Sequence, residues 1–516
     1  MRRQDIQLLA LARQGDGAAR CEVGRRYLLG ADGFARHVAS GLDHLGRVDA
    51  AQRPLAARIV AESLALEDLV TLRQEPALAQ AAADGSPLAQ VKLGVWLCLR
   101  EGRVDEGVRW IDRAATAGHA GARRAAAALR RPDADDPLAA FLQALTRCGE
   151  LDGLSVALLA ARQAQSQADL RQFVAALRTV LALRPQVDPE LAELIAAAVH
   201  LAEQRGQPLV GLSAEAIETA LEMRCQRGDG DAAHALGRAL CGIACGELAP
   251  RALAGGQNMR KGVALLLRAA DAGRNAAWMH LYRMHGDHRL SVANPQMARF
   301  CLEKAAQSGD TEAQRKLGAL MLRDAEGLAD SEAAIEWLQR AAGKGDAHAA
   351  GLLRSLVLPL AGDDAAAEAA IERVRQDDPW VAARMSLARH FGLTKLEALC
   401  VDPVDGQRAW GLVVGRNPFI TQVRLSAARA IPALHDAALQ ALQRAVSFYH
   451  QAQREAPLLE GDLRRRSRRQ RRAFERHGVD ESMFFAQASA TTLQTLRLGT
   501  KWAFHAREPL KSALAA

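Results

Sequence analysis

The sequence predicts a mostly all-α protein: an α-solenoid of stacked antiparallel helix pairs, with a C-terminal helical cap or a small α+β domain that contains a β-hairpin. Three observations lead to this fold class. They are the amino-acid composition, a glycine-led pattern that returns about every 36 residues, and the loss of that pattern after Pro379.

The composition favours helices packed through small side chains. Of the 516 residues, 49% are hydrophobic but only 4% are aromatic. Alanine, leucine and arginine dominate, and all three form helices readily, whereas strands prefer β-branched and aromatic residues. The apolar content excludes a disordered chain, and the length exceeds what one ordinary core supports. Several domains or an extended repeat array are therefore expected.

A repeating sequence pattern favours the repeat array over several unrelated domains. Four residues after Gly309 stands Ala313, eight after it Leu317, and nine after it Gly318. The steps of four and eight lead to Ala and to Leu or Val after the other origin glycines as well, which are Gly15, Gly85, Gly228, Gly273 and Gly345. The pattern weakens after Gly118, where only the alanine is kept. Such internal periodicity is typical of repeat architectures.

The spacing predicts the first helix of each pair. At about 100° per residue, steps of 4, 8, 11 and 12 place side chains on one buried stripe. The origin glycine suits the left-handed turn that ends the preceding helix. The residue after it is often a good N-cap, as at Asp16, Ser86, Asp229, Asp310 and Asp346, whereas His119 and Arg274 depart from this rule.

A second helix precedes the next origin glycine. Ala341 and Ala342 stand just before Gly345, and Trp337 lies four residues before the alanines. The same slot holds other large or apolar residues in three further repeats: Trp110, Leu265 and Cys301. We expect these to be core positions. One helix pair cannot bury its apolar face alone, so successive pairs are expected to stack.

These residues together resemble the Sel-one-like repeat family, a branch of the tetratricopeptide-related α-solenoids. The resemblance covers residues 15–50, 85–118, 228–273 and 273–345, somewhat under half of the chain. It implies the solenoid fold and an adaptor that holds macromolecular complexes together. It carries over no catalytic residue, because the family motif contains none.

Four segments follow from the pattern. Residues 1–131 and 228–376 are predicted to hold the repeats, the second block with an insertion around residues 250–258. Residues 132–227 lack the glycines and are predicted to be degenerate helical pairs. Helices are expected there at residues 137–146, 154–167, 169–183, 189–204 and 214–227. Residues 377–516 form a basic helical or α+β domain.

Within the last segment, we predict a helix over residues 380–400. A β-hairpin follows, with strands at 410–414 and 419–425. Further helices are predicted over residues 432–452, 480–498 and 502–514.

An arginine-rich run is the most suggestive local feature. From Asp377 onward the chain holds 21 Lys and Arg against 13 Asp and Glu, so the net charge of +8 belongs to this part alone. The candidate anion-binding residues are Arg464, Arg465, Arg466, Arg468, Arg469, Arg471, Arg472 and Arg476. In a helix their guanidinium groups would point nearly all round. They could bind nucleic-acid phosphates, an acidic protein surface, anionic lipid or the chain's own acidic face, or remain solvated without a ligand.

Motifs for catalysis and for cofactors are missing from the sequence. It has no phosphate-binding loop, nucleophile elbow, zinc-protease motif or dinucleotide fingerprint. His280, His285 and His288 lie close together in the sequence and could hold a metal ion. Polar residues are expected at such an inter-helix turn in any case, so the cluster does not by itself predict a metal site. A basic C-terminal domain with a hairpin suggests a DNA recombinase with Tyr449 as its nucleophile. However, the sequence shows no histidine–arginine constellation around Tyr449 that would support this role. We therefore expect no catalytic residues, no cofactor and no bound metal.

The sequence thus predicts a non-catalytic adaptor that binds a protein or peptide through its solenoid surface. The alternative is a nucleic-acid-associated regulator that uses the arginine-rich run. No apolar segment is long enough for a membrane span, and no targeting segment is visible. Eight scattered cysteines favour reduced thiols in the cytoplasm. The composition also points to a bacterial source.

Overall fold

The computed structural model describes residues 3–100, 102–130, 137–149, 151–415, 428–455, 460–488 and 507–516. Backbone contacts divide the chain into two compact units, Met1–Arg274 and Asn275–Ala516. The four-segment division predicted from the sequence stays a prediction.

The first unit is a succession of helices joined by short turns. In chain order they are α1 (Arg3–Gln14), α2 (Gly17–Leu29), α3 (Val38–Gly46), α4 (Arg53–Ser63), α5 (Leu66–Thr71), α6 (Glu75–Ala83), α7 (Pro87–Cys98), α8 (Val104–Thr116), α9 (Ala120–Leu129), α10 (Pro137–Arg147), α11 (Gly153–Ser166), α12 (Leu170–Leu183), α13 (Pro189–Arg205), α14 (Ala214–Gln226), α15 (Gly230–Leu240), α16 (Pro250–Leu253) and α17 (Met259–Asp271).

Neighbouring helices of this unit pack in pairs, and each pair packs on the next. The pairs are α2 with α3, α4 with α6, α7 with α8, α9 with α10, α11 with α12, α13 with α14, and α15 with α17. The predicted solenoid of helix pairs is confirmed. The helices predicted between residues 137 and 227 are confirmed as α10 to α14, although that stretch lacks the glycine pattern.

The turns between helices follow the predicted chemistry. All seven origin glycines have a positive φ, between 85° and 104°. Asp310 accepts a hydrogen bond from the Ala313 amide at 2.7 Å, and the other four predicted caps also accept amide protons. The sequence rule was wrong for His119, whose Nδ1 accepts from the Ala122 amide at 3.2 Å and so caps α9.

A glycine contact sets how closely the two helices of a repeat approach. A Cβ built on Gly94 of α7 would lie 2.9 Å from the carbonyl oxygen of Gly107 in α8. Gly24 faces Gly41, and Gly237 faces Gly262, in the same way. The glycine of the first helix belongs to the sequence pattern, but its partner in the second helix was not recognised there. Two facing glycines let the helix backbones touch.

The second unit begins with helices of the same kind and continues into a mixed region. Its helices are α18 (Ala276–Gly286), α19 (Pro295–Gln307), α20 (Thr311–Asp324), α21 (Leu328–Gly343), α22 (Ala347–Ser355), α23 (Asp364–Asp377), α24 (Pro379–Phe391), α25 (Lys395–Cys400), α26 (Pro403–Gly406), α27 (Asp436–Glu455), α28 (Leu463–His477) and α29 (Arg507–Ala515), with a short 3₁₀ turn at Glu481–Met483.

A small antiparallel sheet joins the two apolar cores of this unit. Its strands are β1 (Gln407–Arg408), β2 (Gly411–Val414) and β3 (Arg429–Pro432), in the order β1-β2-β3. On one face, Leu412 and Ile431 pack with helices α23, α24 and α27. On the other, Val413 and Ala430 pack with α20, α21 and α22. The alternation of strand side chains thus serves both cores.

A buried ion pair fastens the sheet to α25. Arg429 donates hydrogen bonds to both carboxylate oxygens of Glu397, at 3.0 and 3.2 Å, and both side chains are at most 1% exposed. Burial by itself would raise the pKa of Glu397, but Arg429 and Thr394 hold that pKa below its usual value. The pair is therefore charged inside the core.

The C-terminal region differs from the sequence prediction in several elements. The second predicted strand, 419–425, lies outside the described residues, and in the described part β2 pairs with Gln407–Arg408 and with Arg429–Pro432. The predicted helix 380–400 is broken at Gly392, which adopts φ of 57°. Of the predicted helix 480–498, the described part is a 3₁₀ turn followed by irregular chain, and the rest lies outside.

Candidate binding surfaces

The arginine-rich run forms helix α28, as its composition allows, but its faces are unequal. Gln470, Ala473 and Phe474 are buried at 2%, 8% and 4% exposure, and the rings of Phe484 and Phe485 pack against Phe474. One side of the helix therefore belongs to the core of the second unit. The expectation that guanidinium groups would point all round was wrong for this side.

Three of the eight predicted arginines bind acidic groups of their own unit. Arg466 donates to Glu460 at 3.1 Å and to the carbonyl oxygen of Leu399 at 3.0 Å. Arg469 pairs with Asp378 at 2.8 Å, and Arg476 with Asp377 at 3.1 Å. Hydrogen bonds from Arg476 and His477 lower the pKa of Asp377. Arg466 and Arg469 hold α28 in place, whereas the pair of Arg476 and Asp377 lies at the surface.

The remaining five arginines form an exposed face. Arg464, Arg465, Arg468 and Arg472 are exposed and make no ion pair with any described residue, while Arg471 lies 3.8 Å from Glu475. Arg464, Arg468 and Arg472 are four residues apart and so form one row about 12 Å long. We call these five residues the arginine face.

A buried polar network supports the N-terminal end of α28. Arg384 is 5% exposed and donates to Glu460 and to the carbonyl oxygen of Val401. Tyr449 donates to the same carboxylate at 3.3 Å, and burial raises the pKa of this tyrosine. Tyr449 as a whole is 3% exposed. The network is a structural support for the helix.

His280 and His285 lie in helix α18, and only His288 lies in the turn after it. His285 is buried, and its Nδ1 lies 2.8 Å from the carbonyl oxygen of Val292. Among the residues that the structure describes, no three His, Cys, Asp or Glu side chains are grouped so as to hold a metal ion.

A groove on the first unit was missed by the sequence analysis. It encloses about 230 Å³ and is lined mainly by the first helices of two consecutive pairs, α13 and α15, with Leu221 and Arg224 of α14 and Gln165 of α11 at its sides. Helix α13 contributes Glu193, Ala196, Ala197, His200 and Glu203. Their spacing of three to four residues marks one helix face, beside the apolar stripe that faces the core. This second, mixed stripe was the signal that could have found the groove.

Charged side chains of the groove are arranged by ion pairs. Arg224 donates to Asp229 at 2.9 Å and lies 3.9 Å from Glu193. Burial raises the pKa of Glu203, although Arg238, which donates to it, acts in the opposite direction. His200 and Glu193 are exposed. The groove therefore presents fixed charges of both signs together with small apolar side chains.

A larger cavity of about 490 Å³ lies on a second helix of the same unit. It is lined by one helix, α12, and by the loop at residues 207–211, where Val210 is 76% exposed. Because a single helix and a loop form it, its shape depends less on the stacking of the pairs than that of the groove does.

The architecture places this chain among proteins built from stacked helix pairs. More particularly, it contains Sel1 repeats: the Sel1 repeat family model matches residues 87–119, 243–273, 277–310 and 311–346. Three of the predicted repeat regions are confirmed in this way. The first, residues 15–50, is not among the matched segments.

Two solved structures are similar to this chain. One is a Sel1 repeat protein from Oxalobacter formigenes, with 21% identity, a TM-score of 0.25, and coverage of 68% of this chain and 90% of that one. The other is c5321, a protective antigen of uropathogenic Escherichia coli strains that displays an SLR fold. It has 18% identity, a TM-score of 0.28, and coverage of 99% and 96%. No curated protein sequence matches this chain.

None of the described helices combines the length and the apolar character that a membrane crossing requires. All eight cysteines are free thiols, and six of them are buried. Burial raises the pKa of Cys98 to about 12 and that of Cys301 to about 11.

Proposed function

We propose that this protein is a non-catalytic adaptor that binds a protein or peptide partner through the solenoid surface of its helix pairs. The observation that supports this most is the groove on α13 and α15. Stacked repeats present such continuous surfaces for partners, and Sel1 repeats are generally protein-interaction scaffolds. A groove with fixed charges of both signs suits a peptide that carries polar side chains.

The proposed location is the cytoplasm. Free, mostly buried cysteines with raised thiol pKa values fit a reducing compartment, where they stay unreactive.

A photo-crosslinking residue placed at His200 tests the groove, with the same residue at Glu215 as the control. Both positions are exposed, but only His200 lines the groove. In nuclease-treated lysate we expect a discrete protein adduct at position 200 that is absent at position 215. Equal labelling at the two positions, or an adduct at 200 that nuclease removes, would contradict the proposal.

We also propose that the arginine face contacts acidic side chains of the partner. Asp462 caps this helix and Glu475 lies on it, so a long phosphate backbone would not meet an unbroken basic surface. The nearby aromatic residues Phe474, Phe484 and Phe485 are at most 7% exposed and offer no surface for base stacking. A compact acidic segment of a protein fits this face better than nucleic acid.

A further inference from the structure

The row of first helices is covered in the second unit by a segment of the chain itself. Helices α20 and α22 follow the origin glycines Gly309 and Gly345, and are therefore first helices of consecutive repeats. Helix α29 packs on both of them. In the first unit, the corresponding helices α13 and α15 line an open groove.

The seat of α29 has a defined chemistry. Leu510 and Ala513, three residues apart, are 9% and 0% exposed and join the core that α20, α21 and α22 form. Arg507, Glu508 and Lys511 are exposed on the opposite side. The groove thus accepts the apolar stripe of a short amphipathic helix through a leucine and a small residue.

Polar contacts fix the direction of the helix. Arg315 of α20 donates from Nε to the carbonyl oxygen of Ala513 at 2.9 Å and pairs with Asp346 at 2.7 Å. His348 of α22 lies 2.8 Å from the hydroxyl oxygen of Ser512. The remaining Nη2 of Arg315 is buried without an acceptor in the described structure. The groove therefore retains an unused hydrogen-bond donor that α29 does not satisfy.

Helix α29 is bound weakly enough for another helix to displace it. It is nine residues long, shorter than helices that are stable alone, so its helicity depends on the groove. Among the described residues, only two buried side chains and two side-chain hydrogen bonds bind α29 to the groove, which is a small number of contacts for a segment of the same chain. A partner that also supplied an acceptor for Arg315 would bind better than α29 does.

We propose that the groove between α20 and α22 is a docking site for a short amphipathic helix of a partner protein, and that α29 fills it until the partner binds. The partner helix carries a leucine and, three residues later, a small residue towards the groove, with an acidic or amide side chain near Arg315. This inference rests on the proposed function and names the class of partner for one surface.

Saturation-transfer NMR with a synthetic peptide of residues 507–516 tests the proposal, since it detects weak ligands of a large protein. In the full chain, Ala513→Arg unseats α29, because Ala513 is fully buried. We expect several-fold more saturation on the peptide methyl groups with this variant than with the wild type. A peptide that itself carries Ala513→Arg gives no effect. Lys511→Ala, at an exposed position, behaves as wild type.

Equal saturation with the wild type and the Ala513→Arg chain would overturn the proposal, as would binding of the altered peptide. Leu510→Ala is a milder second variant should the first fail to fold, as judged by circular dichroism. A wild-type chain that sediments as a dimer and becomes monomeric on Ala513→Arg would assign the groove to a second copy and also overturn it. The crosslinks at His200 lie in the first unit, so failure here leaves the proposed function testable by itself.

Discussion

Lys92 shows how one side chain completes a neighbouring helix. It lies in α7 at 6% exposure, and its Nζ donates to the carbonyl oxygens of Ala61 and Leu64 at 2.6 and 2.7 Å. These two carbonyl oxygens lie at the C-terminal end of α4. There they have no hydrogen-bond donor within the helix. A buried cation at a helix C-terminus also complements the helix dipole.

The pH dependence of stability follows from this burial. Burial lowers the pKa of Lys92 to about 8, against about 10.4 in an unfolded chain. Between these values the unfolded state binds the proton and the folded state does not, so the free energy of unfolding rises with pH. Relative to Lys92→Met, we expect the wild type to gain up to about 3 kcal/mol between pH 7 and pH 10.5.

Urea unfolding of both chains at several pH values measures that gain. The neutral amine keeps two N–H donors for the two carbonyls, so the contact survives deprotonation. A constant difference between the two chains across this pH range would show that Lys92 keeps its usual pKa, and so would contradict the prediction.

At the scale of elements, the facing glycines control the distance between the helices of a repeat. A Cβ on Gly107 would stand 2.6 Å from the carbonyl oxygen of Gly94 and 2.8 Å from the amide nitrogen of Cys98. Both are backbone atoms, so neither can move without shifting a helix. The glycine is therefore required by packing, although it lowers helix propensity.

Substitution of Gly107 by alanine tests this contact. We expect Gly107→Ala to lower the free energy of unfolding by about 1–3 kcal/mol, because overpacking outweighs the gain in helix propensity. Gly46→Ala is the matched control in the same unit, since a Cβ there meets no atom within 4 Å. It should be neutral or slightly stabilising. Equal effects of the two substitutions in denaturant unfolding would refute the close contact.

At the scale of the whole molecule, the basic excess is concentrated on one exposed helix face. Residues before Asp377 balance their charges, and the arginine face is what remains of the excess on α28 once Arg466, Arg469 and Arg476 are paired internally. Long-range attraction of acidic partners should therefore centre on this face and weaken with salt.

Replacing Arg464, Arg465, Arg468 and Arg472 by glutamine tests this assignment. We expect roughly tenfold weaker binding of a fluorescent polyglutamate peptide at low salt, because each exposed pair contributes about 0.2–1 kcal/mol. The control replaces four exposed arginines elsewhere, Arg205, Arg227, Arg251 and Arg260, and has the same net charge. Fluorescence anisotropy at two salt concentrations measures both chains.

The control should bind the peptide as the wild type does. If the control chain loses as much affinity for the peptide as the first variant does, the loss reflects net charge alone. The arginine face is then not a binding site for acidic side chains. If single-stranded DNA of equal charge binds far more tightly than the peptide, and only the first variant loses it, the face belongs to nucleic acid instead.

The sequence by itself determined the helices, their caps and their repetition, because these depend on residues within about four positions of one another. Asp310 caps α20 and the origin glycines turn the chain with no help from distant residues. The helices of the degenerate segment, α10 to α14, were predictable for the same reason. His119 and His37, two unusual caps, escaped the local rules.

Tertiary structure alone decided the features that join distant residues. Arg465 and Arg466 are neighbours of the same type, yet one is exposed and the other is held by Glu460, since the register of α28 on its core sets which face is buried. The pairing of β2 with β3, the contact of Gly94 with Gly107 and the seat of α29 likewise depend on how packed elements meet. Local patterns predict the elements, whereas burial and charge pairing across the fold decide which surfaces stay open for a partner.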